Sequence, residues 1–368
     1  MTQYVLWNPD IEWLGKDNPD YMCEIAFAKE LGINLFEPEE TFTFSGMDYM
    51  IIQDPRKKVV LKHWRNHAEI NYPKEDLSWA DLLILYTNDV IEGPWEKYCQ
   101  AVEEQFNCKK FICITDGVYK LTDYPKDRVY QNHEHHSNKI INFCQFEEWN
   151  TTPPKPKVFD ALIGSIDENK KPHRYFLASN LLQQKLFNKT FINTWGAFNF
   201  RSPELIHLDD TGSVANYRNS TVYSDHFKNG RSMSFSIPIE LYKRSWYSIV
   251  AETMAEQSNY ITEKIAKPLF EKRIFVVFGA QGVLRRLHEL GYQTFDSVID
   301  ESYDREPDNL KRYNMAFAQV LKLAKADHQE IYNKLATVSE HNHSWMVDGQ
   351  RPRLQGLKDF LDMHINKL

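Results

Sequence analysis

The sequence predicts an α/β protein of two domains with a helical C-terminal tail, and three observations predict it. The chain has 368 residues, enough at roughly 150 residues per domain for two separate cores. Short apolar runs alternate with helix-period segments, the pattern of mainly parallel strands flanked by helices. The alternation breaks at residues 151–157 (TTPPKPK), a stiff extended stretch unsuited to an internal strand or a helix, and then starts again. The expected division is residues 1–152, residues 153–345, and residues 346–368 as a C-terminal helix packing back on the first domain. Each domain is expected to be Rossmann-like, the two facing each other across a cleft.

In the first domain, residues 4–7 read as a strand and residues 21–31 as a helix that Gly32 stops. Residues 33–36 and 47–52 read as strands. Residues 80–87 (ADLLILYT) give the strongest strand of this half. Pro94 then suits the first position of a helix carrying Trp95, Tyr98, Val102 and Phe106 at helical spacing. Residues 110–115 (KFICIT) close the unit and end at Asp116 and Gly117.

The second domain repeats the scheme. Residues 158–166 are a strand and 175–187 a helix with Leu177, Leu181, Leu182 and Leu186 on one side. Residues 190–195 are a strand, 246–251 (WYSIVA) a strand, 262–272 a helix, 274–278 (IFVVF) a strand, and 283–290 a helix capped by Gly291. From Asn309 onward the pattern is mostly helical.

Composition narrows the function. Lys and Arg number 44 against 51 Asp and Glu, for a net charge of −7, and neither end carries a basic arm. Nucleic-acid binding by counterion release is therefore disfavoured. Five scattered cysteines without a CxxC pair read as reduced thiols of a cytoplasmic protein. The opening MTQYVLWNPD lacks a basic and apolar leader, and no uncharged run approaches the 18 or more residues of a membrane helix. Fourteen glycines fall well below the usual share of about 7%, so any phosphate site here must be built without the common glycine-rich loops. Aromatics are plentiful at 14%.

The segment YSIVAETMAEQSNYITEKIAKPLFEKRIFVVFG, residues 247–279, holds the densest chemistry. A strand ends at Glu252 and Thr253, and a polar loop leads to Thr262, whose hydroxyl suits a helix cap before Glu263 and Lys264. Helix amides, the positive end of the helix dipole and the Lys264 ammonium then converge on a seat for a diphosphate, with Glu263 able to accept ribose hydroxyls. The same residues also describe an ordinary capped helix with a solvated charge pair. Pro268 should bend that helix, since it removes the bond to the Lys264 carbonyl. A second cationic point, KKPHR at residues 170–174, falls between a strand's carboxyl end and a helix's amino end, and Arg174 can fork onto phosphate. Trp246, Tyr247 and Tyr260 are expected to flank the site, offering faces for stacking on a base or sugar.

These motifs resemble the donor-binding core of the α1,3-fucosyltransferase family. YITEK at residues 260–264, followed by a helix and FVVFG at residues 275–279, is similar to the family's TEK motif and PVVLG-like strand. YKRSWYSIVAET (242–253) is similar to its YKF…FENS region, KPHRYFLASNLL (171–182) to its arginine-bearing helix start, and FINTWG (191–196) to its VDVYG-like strand. Weaker echoes are ADLLILYTNDV (80–90) and FICITDG (111–117). The resemblance covers about residues 158–295.

It implies a GT-B fold and inverting, metal-independent transfer from a nucleotide sugar to a glycan or other hydroxyl acceptor. No resident cofactor is implied. Carried over by position, Arg174 and Lys264 neutralise phosphates, Glu263 holds ribose, Tyr260 and Thr262 belong to the same donor motif, and Glu252 lies close to the sugar. Asp116 takes the place of the catalytic carboxylate, with Glu92 and Asp89 as alternatives. The chain departs from the family where AETMAEQ lacks the Asn of FENS and where IAKPLF follows TEK, so the donor stays open beyond a GDP-sugar such as GDP-fucose as first choice. Two rival readings remain: a transferase acting on nucleic-acid bases, for which Lys57, Lys58, Lys62, His63 and Arg65 form the candidate patch, and a non-catalytic nucleotide- or sugar-binding protein. The histidines of NHEHH (His133, His135, His136) and the pair Asp209–Asp210 read as a solvated loop and a turn rather than metal sites.

Overall fold

The computed structural model describes residues 3–7, 49–54, 57–63, 74–91, 94–118, 124–131, 137, 140, 155–165, 171–195, 237–256, 261–348 and 350–368. The expected helix at 21–31 and strand at 33–36, together with Glu92, Tyr260, the NHEHH histidines and Asp209–Asp210, lie outside the described residues. The chain divides into two compact units, Met1–Asn138 with Gln350–Leu368, and Lys139–Gly349. The division falls ahead of the proline-rich segment.

In the first unit a six-stranded sheet has the order β1-β2-β3-β4-β5-β6: β1 Gln3–Trp7, β2 Tyr49–Asp54, β3 Lys57–His63, β4 Leu82–Ile91, β5 Phe111–Val118 and β6 Val129–Gln131. It is mixed, which corrects the expectation of a parallel layer. β1, β2 and β3 pair antiparallel, and only β3 through β6 run parallel. The sequence hides β3 because KKVVLKH sets lysines at both ends of a three-residue apolar centre.

The unbroken apolar run of β4 follows from burial on both faces. Leu83 and Leu85 pack with Tyr98, Val102 and Phe106 of helix α1, Trp95–Phe106. Leu82 and Ile84, with Ile112 and Ile114 of β5, pack with Leu357, Phe360, Leu361 and Ile365. α1 stops where Asn107 turns left-handed at φ 41° and returns its N–H to the Glu103 carbonyl.

The second unit holds a four-stranded parallel sheet in the order β10-β9-β7-β8. Its strands are β7 Phe159–Ser165, β8 Thr190–Trp195, β9 Tyr247–Ala251 and β10 Phe275–Phe278. Helices α2 Pro172–Gln183, α3 Ile239–Arg244, α4 Glu263–Phe270, α5 Val283–Glu289, α6 Asn309–Leu323 and α7 His328–Asp348 complete it, while α8 Gln350–Ile365 belongs to the first unit. Pro268 sits in the last turn of α4, which ends two residues later.

A buried polar network ties the amino ends of this sheet. The Arg273 guanidinium pairs with Asp160 and donates to Ser248 Oγ at 2.9 Å and the Tyr242 carbonyl at 2.9 Å, and Ser245 Oγ donates to Asp160 at 3.0 Å. With all its partners in place, this network fixes β7, β9 and the approach to β10 in register. Trp246 and Tyr247 stand at this same end, their rings against His328 and Tyr332. The expectation that these two rings flank the donor site is thereby corrected. Strand alternation does not tell which end of a strand a ligand meets.

Candidate functional site

From β7 the chain passes through α2 to β8 on one side, and then returns to place β9 on the other side of β7. Such a reversal opens a crevice at the strands' carboxyl ends, where open α/β sheets bind ligands. Two helices begin at this point: α2 after β7, and α4 after β9.

The end of β7 carries a register shift between Leu162 and Gly164. Gly164 adopts φ +75°, and a β-carbon there would lie 2.9 Å from Arg174 Nη1. The missing side chain gives the Arg174 guanidinium its place. Arg174 is buried, and its Nη2 donates to the Glu252 carbonyl at 3.2 Å. Beside it, His173 donates from Nε2 to the same carbonyl at 2.7 Å. Burial, assisted by the charges of Arg174, Lys171 and Lys264, lowers the His173 pKa to about 3, so the ring is neutral. Its buried Nδ1 has no hydrogen-bond partner among the described residues. Pro172 occupies the first turn of α2, and no side chain caps that turn.

On the β9 side, Glu252 is fully buried and its carboxylate spans a loop. Oε2 accepts from Thr253 N–H at 3.0 Å and from the Thr262 hydroxyl at 2.6 Å, while Oε1 accepts from Thr262 N–H at 2.9 Å. Burial raises its pKa above the ordinary carboxylate range, against the lowering effect of Lys264 and of these bonds. Thr262 caps α4 by accepting from Lys264 N–H at 3.3 Å. Lys264 Nζ donates to Thr253 Oγ1 at 3.0 Å and pairs with Glu263 Oε1 at 2.7 Å, and Lys171 Nζ donates to the Thr253 carbonyl at 2.5 Å.

Five of the residues read from sequence thus meet at one place: Arg174, Glu252, Thr262, Glu263 and Lys264. Glu252 turns both carboxylate oxygens to the protein, so it supports the loop. Asp116 falls near the carboxyl end of β5, in the other unit. Gly164 and Thr253 were missed. A glycine at a strand end in a glycine-poor chain was a usable signal for the first; nothing in the sequence marks Thr253 as the residue on which two ammonium groups meet.

Chemically, three cations and two helix amino ends stand against two carboxylates, one of them buried, a balance of charge suited to an anion. The neutral His173 ring adds no donor to it, since its one N–H is given to the Glu252 carbonyl. Among the described residues no group of three or more His, Cys, Asp or Glu is placed to hold a metal ion, and no helix is long and apolar enough to cross a membrane.

A parallel sheet with helices at its carboxyl ends and a cationic switch point defines a mixed α/β protein of Rossmann-like type. No family model matches the chain, and no curated protein matches it. Among solved structures, the crystal structure of an α1,3-fucosyltransferase is similar over 74% of this chain and 79% of that one, at 12% identity and a TM-score of 0.30.

Proposed function

We propose that the protein is a glycosyltransferase of GT-B architecture that takes its sugar from a nucleotide-diphosphate donor held at the switch point of the second unit. A GDP-sugar such as GDP-fucose is the first candidate donor, and a glycan or other hydroxyl compound the acceptor, bound through the first unit. The observation that carries this reading is the meeting of Lys171 and Lys264 on Thr253, beside the carbonyl of Glu252 that binds His173 and Arg174.

In the proposed reaction a carboxylate takes the proton of the acceptor hydroxyl, and that oxygen bonds to the anomeric carbon from the face opposite the leaving group. The bond between that carbon and the phosphate oxygen breaks, and its electron pair leaves with the nucleoside diphosphate. Fixed cations and helix amides at the switch point stabilise the charge gathering there. This scheme uses neither metal nor resident cofactor. Asp116 is the first candidate base, with Glu92 and Asp89 as alternatives.

A thermal-shift and calorimetric panel of GDP, UDP, CMP and dTDP with their sugars tests the donor site. One diphosphate should stabilise the protein, and Lys264→Ala should abolish the shift; no stabilisation by any of them defeats the reading. Asp116→Asn and Glu92→Gln then test catalysis, since loss of turnover with nucleotide affinity retained identifies the base. Nucleotide binding without turnover in the wild type would instead mark a binding protein.

A further inference from the structure

Arg312 stands in the first turn of α6, where a cation opposes the helix dipole. It is 3% exposed, and every oxygen it bonds is neutral. Nε donates to the Gly279 carbonyl at 3.1 Å, Nη1 to the Glu306 carbonyl at 2.9 Å and the Pro307 carbonyl at 3.5 Å, and Nη2 to the Ala255 carbonyl at 2.9 Å and to Asn309 Oδ1. The Glu306 carboxylate acts on this charge only through space, so the buried cation is held by neutral acceptors, which would be left without a donor in its absence. The bonds show what the charge is used for. Gly279 follows β10 and Ala255 follows β9, so one planar fork grips the carboxyl ends of two neighbouring strands and ties both to α6.

Ala255 lies two residues beyond Thr253, on which Lys171 and Lys264 meet. Its carbonyl also accepts from the Tyr313 hydroxyl at 3.4 Å. Tyr313 in turn places its ring 6.2 Å from that of His173 and 5.8 Å from that of Phe176, both on α2. α6 therefore braces both segments that carry the cationic site, with Glu252 holding the loop from the sheet side and Arg312 from the helix side.

We propose that Arg312 is a positioning residue for the anion site: it sets the main chain of residues 253–255, and with it the Thr253 carbonyl and hydroxyl on which the Lys171 and Lys264 ammonium groups are fixed. The assignment rests on the donor-site reading. Lysine cannot replace it, because a single ammonium lacks the planar fork that reaches three separate segments.

The test uses the full chain in three variants: Arg312→Lys, Tyr313→Phe, and Leu323→Ala as a control that loosens buried packing at the far end of α6. Calorimetry with the nucleoside diphosphate that binds the wild type, and with inorganic pyrophosphate, is read beside hydrogen exchange and thermal midpoints. Arg312→Lys should raise Kd about tenfold or more, as displaced contact groups do, and speed exchange at residues 253–256. Leu323→Ala should lower the midpoint with Kd unchanged. If Arg312→Lys fails to fold, Tyr313→Phe should give a smaller change in the same direction. An Arg312→Lys protein that behaves like Leu323→Ala overturns the proposal. If no diphosphate binds the wild type, the donor reading falls by itself, and exchange at residues 253–256 still decides whether Arg312 holds the loop.

Discussion

A β-carbon on Gly164 would lie 2.9 Å from Nη1 of Arg174, and Gly164 itself sits at φ +75°. Two effects of Gly164→Ala follow. The left-handed backbone costs about 1 kcal/mol for a residue with a side chain. The methyl also displaces a guanidinium, the mobile end of a long side chain, so steric relief is cheap in stability but moves the cation that the site needs. The expected outcome is a loss of about 1–2 kcal/mol in urea unfolding, with a larger proportional loss of diphosphate affinity. Unchanged affinity would remove Arg174 from the site.

Glu252 and Thr262 should be energetically coupled. One carboxylate satisfies Thr253 N–H, Thr262 N–H and the Thr262 hydroxyl. Glu252→Gln turns an amide donor toward one of those donors and should cost about 1–3 kcal/mol, the usual penalty for a buried unsatisfied group. Thr262→Val removes the α4 cap as well as one bond, for about 1–2 kcal/mol. The double variant should fall short of the sum by about 1 kcal/mol. Additive losses in chemical denaturation would show that the carboxylate and the cap do not act together.

Glu301 gives a pH dependence with a definite sign. It accepts from the Thr294 hydroxyl at 2.6 Å and Phe295 N–H at 2.7 Å, and His288 Nε2 lies 2.8 Å from the same Thr294 oxygen. Burial, with Asp296 and Asp304 nearby, raises its pKa from 4.5 to about 7 against those two bonds. The unfolded chain ionises first, so this group's contribution is fully present below pH 4.5 and lost as pH rises through about 7. The loss is at most on the order of 3 kcal/mol. Glu301→Gln reproduces the protonated side chain and should flatten the stability curve between pH 5 and 7.5 relative to wild type. Parallel curves for the two proteins would refute the assignment.

Much of the second unit was legible because its signals are local. Residues 190–195 form β8, Thr262 caps α4, and 274–278 predicts β10 to within a residue, each set by a neighbour or by a period. What the sequence left open depends on contacts distant along the chain. Arg312 reaches Ala255 and Gly279 through folding alone, Arg273 finds Asp160 113 residues away, and Glu252 turns its carboxylate into the loop rather than outward. In the first unit the strand pattern of ADLLILYT was plain, but pairing direction is a tertiary choice, and the antiparallel run of β1, β2 and β3 leaves no mark in composition.

The last helix should carry much of the first unit's stability. β4 and β5 expose one apolar face to α1 and the other to α8, where Leu357 is 1% exposed against Leu82, Ile84, Ile112 and Ile114. The His364 ring bonds the Asp127 carbonyl at 2.6 Å near the end of the same helix, and the Tyr130 ring lies tilted against that of Phe360 with centroids 5.4 Å apart. Leu357→Ala empties a site bounded by rigid strand residues that cannot collapse into the gap, so the cost should be about 2–5 kcal/mol. Because the cluster is confined to the first unit, the loss should fall there. Hydrogen exchange should quicken at β4 and β5 while β9 and β10 keep wild-type protection. A uniform rise in exchange across both sheets would mean that the units unfold as one, and no change at β4 and β5 would remove α8 from the core that supports them.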